Sequence, residues 1–366
     1  MKTPFRSAHD LPATEFQTRV KRLRACQKRL RLDAAIIITD INRYYFTGLE
    51  TSNGLLLTET NEATAFFTDF RYRTMAKRQA RWLPCHNMWR PAEESRVLAG
   101  MGTGWRRVGY EGNMEAARFL RLQAALPDVE WIDISGTIAE LRAIKSPAEL
   151  RAVQAAIAAN DQLFATLLKQ ITPGMSEWDV RALARQEANR LGQGEAFDTI
   201  ACVGRNGAEC HHHPDDTRLK YGQPLLIDLG LKLNHYCADM TRCVFYGRPT
   251  PRYRELYAIV LEANRKAIRS IKPGIPCCDI DAIARKHIDK AGFGMYFGHS
   301  LGHGLGLEVH ESPSFSPNCK TVLKPGMVIT VEPGIYLPGK LGVRIEDVIR
   351  VTRTGCEVLT QTPRTI

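Results

Sequence analysis

Ile171-Thr172-Pro173-Gly174-Met175 returns further along the chain as Ile271-Lys272-Pro273-Gly274-Ile275. The echo extends past the turn. Arg181-Ala182-Leu183-Ala184-Arg185 is matched at the same offset by Asp281-Ala282-Ile283-Ala284-Arg285. In each copy one helix-periodic segment precedes the Pro-Gly pair and another follows it, because these residues punctuate helices. Each copy then runs into strand-like sequence. Leu225-Leu226-Ile227-Asp228-Leu229-Gly230 in the first corresponds to Val328-Ile329-Thr330-Val331-Glu332-Pro333-Gly334 in the second. A further acidic strand follows in each, Ala238-Asp239-Met240-Thr241-Arg242 against Arg344-Ile345-Glu346-Asp347. A unit repeated many times builds a solenoid, whereas two copies predict a pseudo-twofold domain. Its halves are expected to face each other, with two carboxylates from each meeting at the axis.

Upstream of the repeat, Ser146-Pro147-Ala148-Glu149 is a capping box with proline at the first helical position. It predicts a helix from Pro147 to about Ile171, with Leu150, Val153, Ile157, Leu163, Leu167 and Leu168 along its apolar stripe. At 366 residues the chain is long for one domain. The boundary is placed at this cap, dividing it into 1–145 and 146–366. Residues 1–145 alternate strand and helix signals and read as an α/β domain. Ala34-Ala35-Ile36-Ile37-Ile38-Thr39 is a buried strand by composition. Gly54–Thr58 and Ala63–Thr68 flank a polar turn and predict a hairpin. Phe70 to Ala80 and Glu115 to Leu126 read as helices, and Val129 to Ile134 as a strand.

Composition is that of an ordinary globular protein, with 44% hydrophobic and 24% charged residues. No apolar run is long enough to span a bilayer, and the N-terminal residues lack the apolar core of a signal peptide. Ten cysteines without regular spacing or a CxxC pair read as reduced thiols, so a cytoplasmic location is expected. The formal charge of +11 raises the question of an anionic partner. Much of it falls on Arg19, Lys21, Arg22, Arg24, Lys28, Arg29 and Arg31, where Val20, Leu23, Gln27 and Leu30 recur at helical spacing. This reads as a surface helix with a solvated basic face. No nucleic-acid motif supports the other reading, and neither nucleic acid nor membrane is expected as a partner.

Chemistry concentrates between residues 225 and 350. A lone Asp228 in an apolar strand reads as easily as a loop cap or the partner of an arginine. Asp228, Asp239, Glu332 and Glu346 brought together would repel, and some would stay protonated. Divalent metal removes that cost. His303, between Gly302 and Gly304, completes the set. An oxygen-rich site with one imidazole suits manganese, cobalt, iron or zinc. Two bridged ions with a shared hydroxide are expected.

These ordered blocks resemble those of the pita-bread metallopeptidases, namely aminopeptidase P, prolidase and methionine aminopeptidase, over residues 146–352. The resemblance implies an α/β two-domain fold with a pita-bread catalytic domain at 146–366. It implies that Asp228 binds one ion, His303 and Glu332 the other, and Asp239 and Glu346 both, with manganese first in line and cobalt, zinc or iron as alternatives. His211 (after Asn206-Gly207-Ala208), His299 and His310 (in Val309-His310-Glu311-Ser312-Pro313) fit the family's substrate-side histidines. Residues 1–145 are similar to the N-terminal domain of aminopeptidase P, prolidase and creatinase. Asn42-Arg43-Tyr44-Tyr45-Phe46-Thr47-Gly48 and Thr68-Asp69-Phe70-Arg71-Tyr72 carry that similarity. Methionine aminopeptidase lacks the domain, and the Arg344 block looks like the proline-specific branch. The full ligand set disfavours a creatinase-like, metal-free reaction.

The activity implied is hydrolysis of the first peptide bond of a peptide with proline second, as in a Xaa-Pro aminopeptidase. A Xaa-Pro dipeptidase (prolidase) is the alternative, since the ligand set does not separate the two. A methionine-type aminopeptidase or a non-catalytic binding protein of the same fold ranks lower. In this reading Glu332 moves the proton from water to the leaving nitrogen. His310 and His299 stabilise the oxyanion or orient the carbonyl, His211 contacts the proline side, and Arg344 orients a ligand carboxylate. A homodimer is expected from the relatives. One loop departs from the family: Val203 and Arg205 in Cys202–Ala208 stand where many relatives show Ser-Gly-Pro-Asn. After it, His212 and His213 read as exposed polar loop and Cys210 as an ordinary free cysteine.

Overall fold

The helix Pro147–Gln170 starts as its cap predicts. Ser146 Oγ accepts from the Glu149 amide, and the Glu149 carboxylate accepts from the Ser146 amide at 2.9 Å. The computed structural model describes residues 11–61, 63–88 and 90–365. They form two compact units, 11–142 and 143–365. Lys145 ties the start of the second unit down, its amide donating to Gly326 O and its ammonium to Glu311.

The first unit is a six-stranded mixed sheet. Its strand order is Cys85–Asn87, Thr64–Thr68, Leu55–Glu59, Ala34–Ile37, Arg107–Tyr110 and Glu130–Asp133. The expected hairpin is present, with Leu57 opposite Ala65. The expected helices appear as Phe70–Gln79 and Ala116–Ala125. One expectation is corrected. In the basic helix Ala13–Leu30, Arg19 is not on a solvated face but 1% exposed. It donates to Tyr45 O at 2.8 Å and lies 4.3 Å over the Tyr45 ring. A planar guanidinium buries readily when its donors are met and its face stacks on an aromatic ring.

The second unit shows the duplication directly. Helices Pro147–Gln170 and Glu177–Leu191 belong to the first half, Pro251–Ser270 and Cys277–Lys290 to the second. Between each pair the turn glycine takes a left-handed φ, +97° at Gly174 and +91° at Gly274, which a side chain would oppose. The Gly174 amide donates to Leu219 O and the Gly274 amide to Leu323 O. Near the middle of each long helix an asparagine reaches the end of a central strand. Asn160 donates to Leu229 O at 3.3 Å and Asn264 to Val331 O at 2.9 Å. Leu168, placed on the apolar stripe by its spacing, is 37% exposed, whereas Val153, Ile157, Leu163 and Leu167 are buried together with Ala156, Ala159 and Asn160.

The first half contributes a three-stranded sheet, Met240–Phe245, Pro224–Leu229 and Ile200–Val203 in that order. The second half contributes five strands, in the order Glu311–Phe315, Gly302–Gly304, Val328–Val331, Asp347–Val351 and Cys356–Val358. A hairpin, Gly334–Leu337 with Leu341–Arg344, joins them. Buried Leu226, Val260, Ile280, Ile329 and Ile349 form part of one core. Each such side chain contributes roughly 1.5–3 kcal/mol. Among the described residues no helix is long and apolar enough to cross a membrane.

Candidate metal centre

The acids sit where strands stop. Asp228 is the penultimate residue of Pro224–Leu229, opposite Thr241. Asp239 immediately precedes the strand Met240–Phe245. Glu332 follows Val328–Val331, and Glu346 lies between Leu341–Arg344 and Asp347–Val351. His303 is the middle residue of Gly302–Gly304. These ends converge on one cavity of about 410 Å³. All five predicted ligands line it, and so do His211, His299, His310 and Arg344. His303 Nε2 lies 3.3 Å from Glu332 Oε1 and 3.6 Å from Asp239 Oδ2. Asp239, His303 and Glu346 each offer a ligand atom within 4.8 Å of the others.

Two features fit this donor set to divalent cations. Asp228 Oδ1 and Glu346 Oε1 are buried and have no hydrogen-bond partner. An orphaned carboxylate oxygen in a protein interior is costly unless a cation meets it. His303 Nδ1 faces the Gly304 carbonyl at 3.1 Å, so in the neutral ring it carries the proton and Nε2 points bare at the acids. The electrostatics agree. Burial raises the Asp239 carboxyl well above the usual range, and Glu346 and Asp228 add to the shift. Burial does the same to Glu346, with Glu332 and Asp228 behind it. Asp228 is raised by burial despite Arg344. Burial would also raise Glu332, but the hydrogen bond and charge of His303 outweigh it, so Glu332 is lowered.

A hydrogen-bonded frame holds the acids. Arg344 donates to Asp228 Oδ2 at 2.5 Å, Thr241 Oγ1 at 2.9 Å, Tyr336 Oη at 2.9 Å and Cys210 O at 3.1 Å. Thr241 Oγ1 in turn donates to Glu346 Oε2 at 2.8 Å. Beneath them Arg242 joins the two halves through Asp347 at 2.9 Å. Asn264 and Arg364 satisfy the other Asp347 oxygen. Thr330 accepts from the His303 amide and donates to Glu332.

The histidines differ in freedom. His299 Nδ1 donates to Ser300 O at 2.8 Å, and its Nε2 accepts from Tyr336 Oη at 2.9 Å. Both nitrogens are therefore engaged. Burial lowers its pKa. His310 is exposed, with its ring 4.3 Å from that of His303. Burial and then the His303 charge lower its pKa. His211 is exposed at the cavity edge.

His212 corrects an expectation. Only 9% of it is exposed, and its ring bridges Glu177 Oε2 at 2.8 Å and Glu209 Oε2 at 3.0 Å. Burial alone would lower its pKa, but the two carboxylates raise it. Burial raises Glu177. Glu177, His212 and Asp215 lie close enough to suggest a second metal cluster. Their polar atoms are instead occupied by one another and by backbone amides, including those of Val203 and Asp215 on Glu177. Sequence reasoning also missed Tyr336, Thr330 and the buried Lys145–Glu311 pair, 3.0 Å apart, which anchors the loop carrying His310. Proximity to the Glu332 and His310 blocks was the only signal for them. The hairpin and the His211 loop touch backbone to backbone. A Cβ on Gly342 would lie 1.6 Å from Gly207 O, so only glycine fits there.

Residues 151–353 match the profile of Metallopeptidase family M24, and residues 19–144 that of the Creatinase/Prolidase N-terminal domain. The Xaa-Pro dipeptidase of Pyrococcus furiosus is 37% identical over 335 residues, covering 91% of this chain and 94% of that protein. The prolidase structure from Pyrococcus horikoshii OT3 superposes with a TM-score of 0.90 at 36% identity, covering 95% of this chain and 99% of the other. The X-Pro aminopeptidase structure from Thermotoga maritima MSB8 does so with a TM-score of 0.85 at 33% identity, covering 93% and 100%.

Proposed function

This chain belongs to Metallopeptidase family M24, with a creatinase/prolidase N-terminal domain, and from that premise we propose that it is a dinuclear Xaa-Pro dipeptidase. Its sequence blocks alone put the aminopeptidase first. The similarity to Xaa-Pro dipeptidases and prolidases, at 36–37% identity, moves the dipeptidase ahead. The Thermotoga relative keeps the aminopeptidase as the second reading. The observation that carries the metal assignment is the pair of buried, partnerless oxygens on Asp228 and Glu346. Asp228, Asp239, His303, Glu332 and Glu346 would hold the ions, with manganese the first to test. Bound there, the ions supply Lewis acidity and a water acidified enough to attack near neutral pH.

The protein's own groups do the rest. Glu332, at the end of Val328–Val331 on the cavity wall, accepts a proton from the attacking water and returns it to the leaving nitrogen. His310, on the cavity wall beside the His303 ring, donates to the developing oxyanion. His299 has both nitrogens engaged and serves as a wall that fixes Tyr336. His211 contacts the proline side, and Arg344 orients Asp228. Proline as the leaving residue suits such a cavity, because its tertiary amide has no N–H to satisfy.

Replacing His310 by alanine is expected to lower kcat by roughly 10²-fold, as removing one oxyanion donor does. Metal content, read by elemental analysis, is expected to stay normal; a parallel loss of metal would make His310 a ligand instead. The subtype is tested with a Xaa-Pro dipeptide, a longer Xaa-Pro peptide and a Met-Ala peptide on manganese-loaded protein. Cleavage of the dipeptide alone is expected. Preference for the longer peptide would favour the aminopeptidase, and cleavage of Met-Ala alone would overturn both.

A further inference from the structure

The loop 203–215 supplies the cavity with His211 and with the Cys210 carbonyl that receives Arg344. Neither residue is held by a strand. Besides Arg344 and the Gly207–Gly342 contact, one side chain from a helix outside the cavity holds the loop. Glu177, in the first turn of Glu177–Leu191, is 0% exposed. Its Oε1 accepts from the Val203 amide at 2.6 Å and Asn206 Nδ2 at 2.9 Å. Its Oε2 accepts from the Asp215 amide at 3.0 Å and faces His212 Nε2 at 2.8 Å. One carboxylate thus gathers the start, middle and end of the loop. His212 carries the pull to its chain neighbour, His211.

We propose that Glu177 and His212 form a clamp that positions His211 and the Cys210 carbonyl for peptide cleavage. Neither lines the cavity, so both are positioning residues. The clamp closes a path that passes through the second half and back: Glu177 to His212, through the backbone to Cys210 O, then Arg344 and Asp228. The departure from the usual loop sequence has a physical role here, since Glu209 and His212 supply side-chain bonds where a rigid proline would act through the backbone. The effect on catalysis rests on the peptidase reading; the clamp itself does not.

The test uses the full-length, manganese-loaded protein carrying His212→Ala, His212→Gln or Glu177→Gln. A glutamine at 212 keeps a donor for Glu177, whereas alanine keeps none. Amide hydrogen exchange over 203–215 needs no substrate. It is expected to rise in His212→Ala and Glu177→Gln, with 224–245 and 328–351 unchanged. On a Xaa-Pro substrate, KM is expected to rise by about tenfold or more in His212→Ala, with kcat changed less and metal content normal. His212→Gln should recover most of the loss in both readouts. Unchanged exchange in His212→Ala overturns the clamp. Raised exchange with unaltered KM overturns its positioning role, and so does a glutamine variant no better than alanine. A wild-type protein that cleaves no Xaa-Pro peptide overturns the functional reading instead, and the exchange result still decides the clamp.

Discussion

Glu346→Ala is expected to yield a protein that retains little divalent metal and cleaves peptide at least about 10³-fold more slowly. Glu346 is 1% exposed, with one oxygen held by Thr241 and the other without a partner. Without metal, the same substitution should stabilise the fold. Burial and mutual repulsion raise the Asp239 and Glu346 carboxyls above their unfolded values. A carboxyl raised in this way contributes stability that is fully present below its unfolded value of about 4 and is lost as pH rises through the native value. The metal-free wild type should therefore lose urea resistance from about pH 4 upward, and Glu346→Ala should lose less. Added manganese should raise the wild-type midpoint and leave that of the variant unmoved. Metal binding and turnover at wild-type levels in Glu346→Ala would refute the proposed ligand set.

Arg344→Met is expected to destabilise the metal-loaded protein by about 3–5 kcal/mol, the range for leaving one partner of a buried ion pair alone. The guanidinium is 3% exposed and reaches Asp228, Thr241, Tyr336 and the Cys210 carbonyl. Burial would lower its pKa, but Tyr336, Asp228 and Glu332 keep it protonated. Methionine fills similar space with no donors. Asp228 Oδ2, Tyr336 Oη and a backbone carbonyl would lose a donor together. Chemical denaturation measures the loss, and elemental analysis should show reduced metal as Asp228 loses its orientation. Arg344→Lys should recover part of the stability through a single bond, without the fork that spans four partners. A variant as stable as wild type would show that the frame does not depend on this cation.

Much of the architecture was legible because local chemistry repeats. The two Pro-Gly turns mark left-handed glycines at 174 and 274, and the Ser146 capping box marks a helix start that the structure reproduces. The acids stood out because Asp228, Asp239, Glu332 and Glu346 interrupt apolar sequence. Arg19 and His212 were misread for one reason. Charge is a poor guide to burial when the partners lie far along the chain, at Tyr45 and Glu177 respectively. Asn160 and Asn264 gave no sequence signal either, since each acts on a strand end more than sixty residues away.

By itself the sequence determined the duplicated helix–turn–helix plan, the strand-end acids and His303 as the asymmetric addition of the second half. Turn geometry, capping and hydrophobic period are properties of neighbouring residues, so they can be read along the chain. Tertiary structure alone decided which groups are free to act. It engaged both nitrogens of His299, bared His303 Nε2 through the Gly304 carbonyl, and left one oxygen each on Asp228 and Glu346 without a partner. It also turned His212 away from solvent and onto Glu177. Hydrogen-bond occupancy depends on atoms brought together from distant segments, and a linear pattern does not contain those distances.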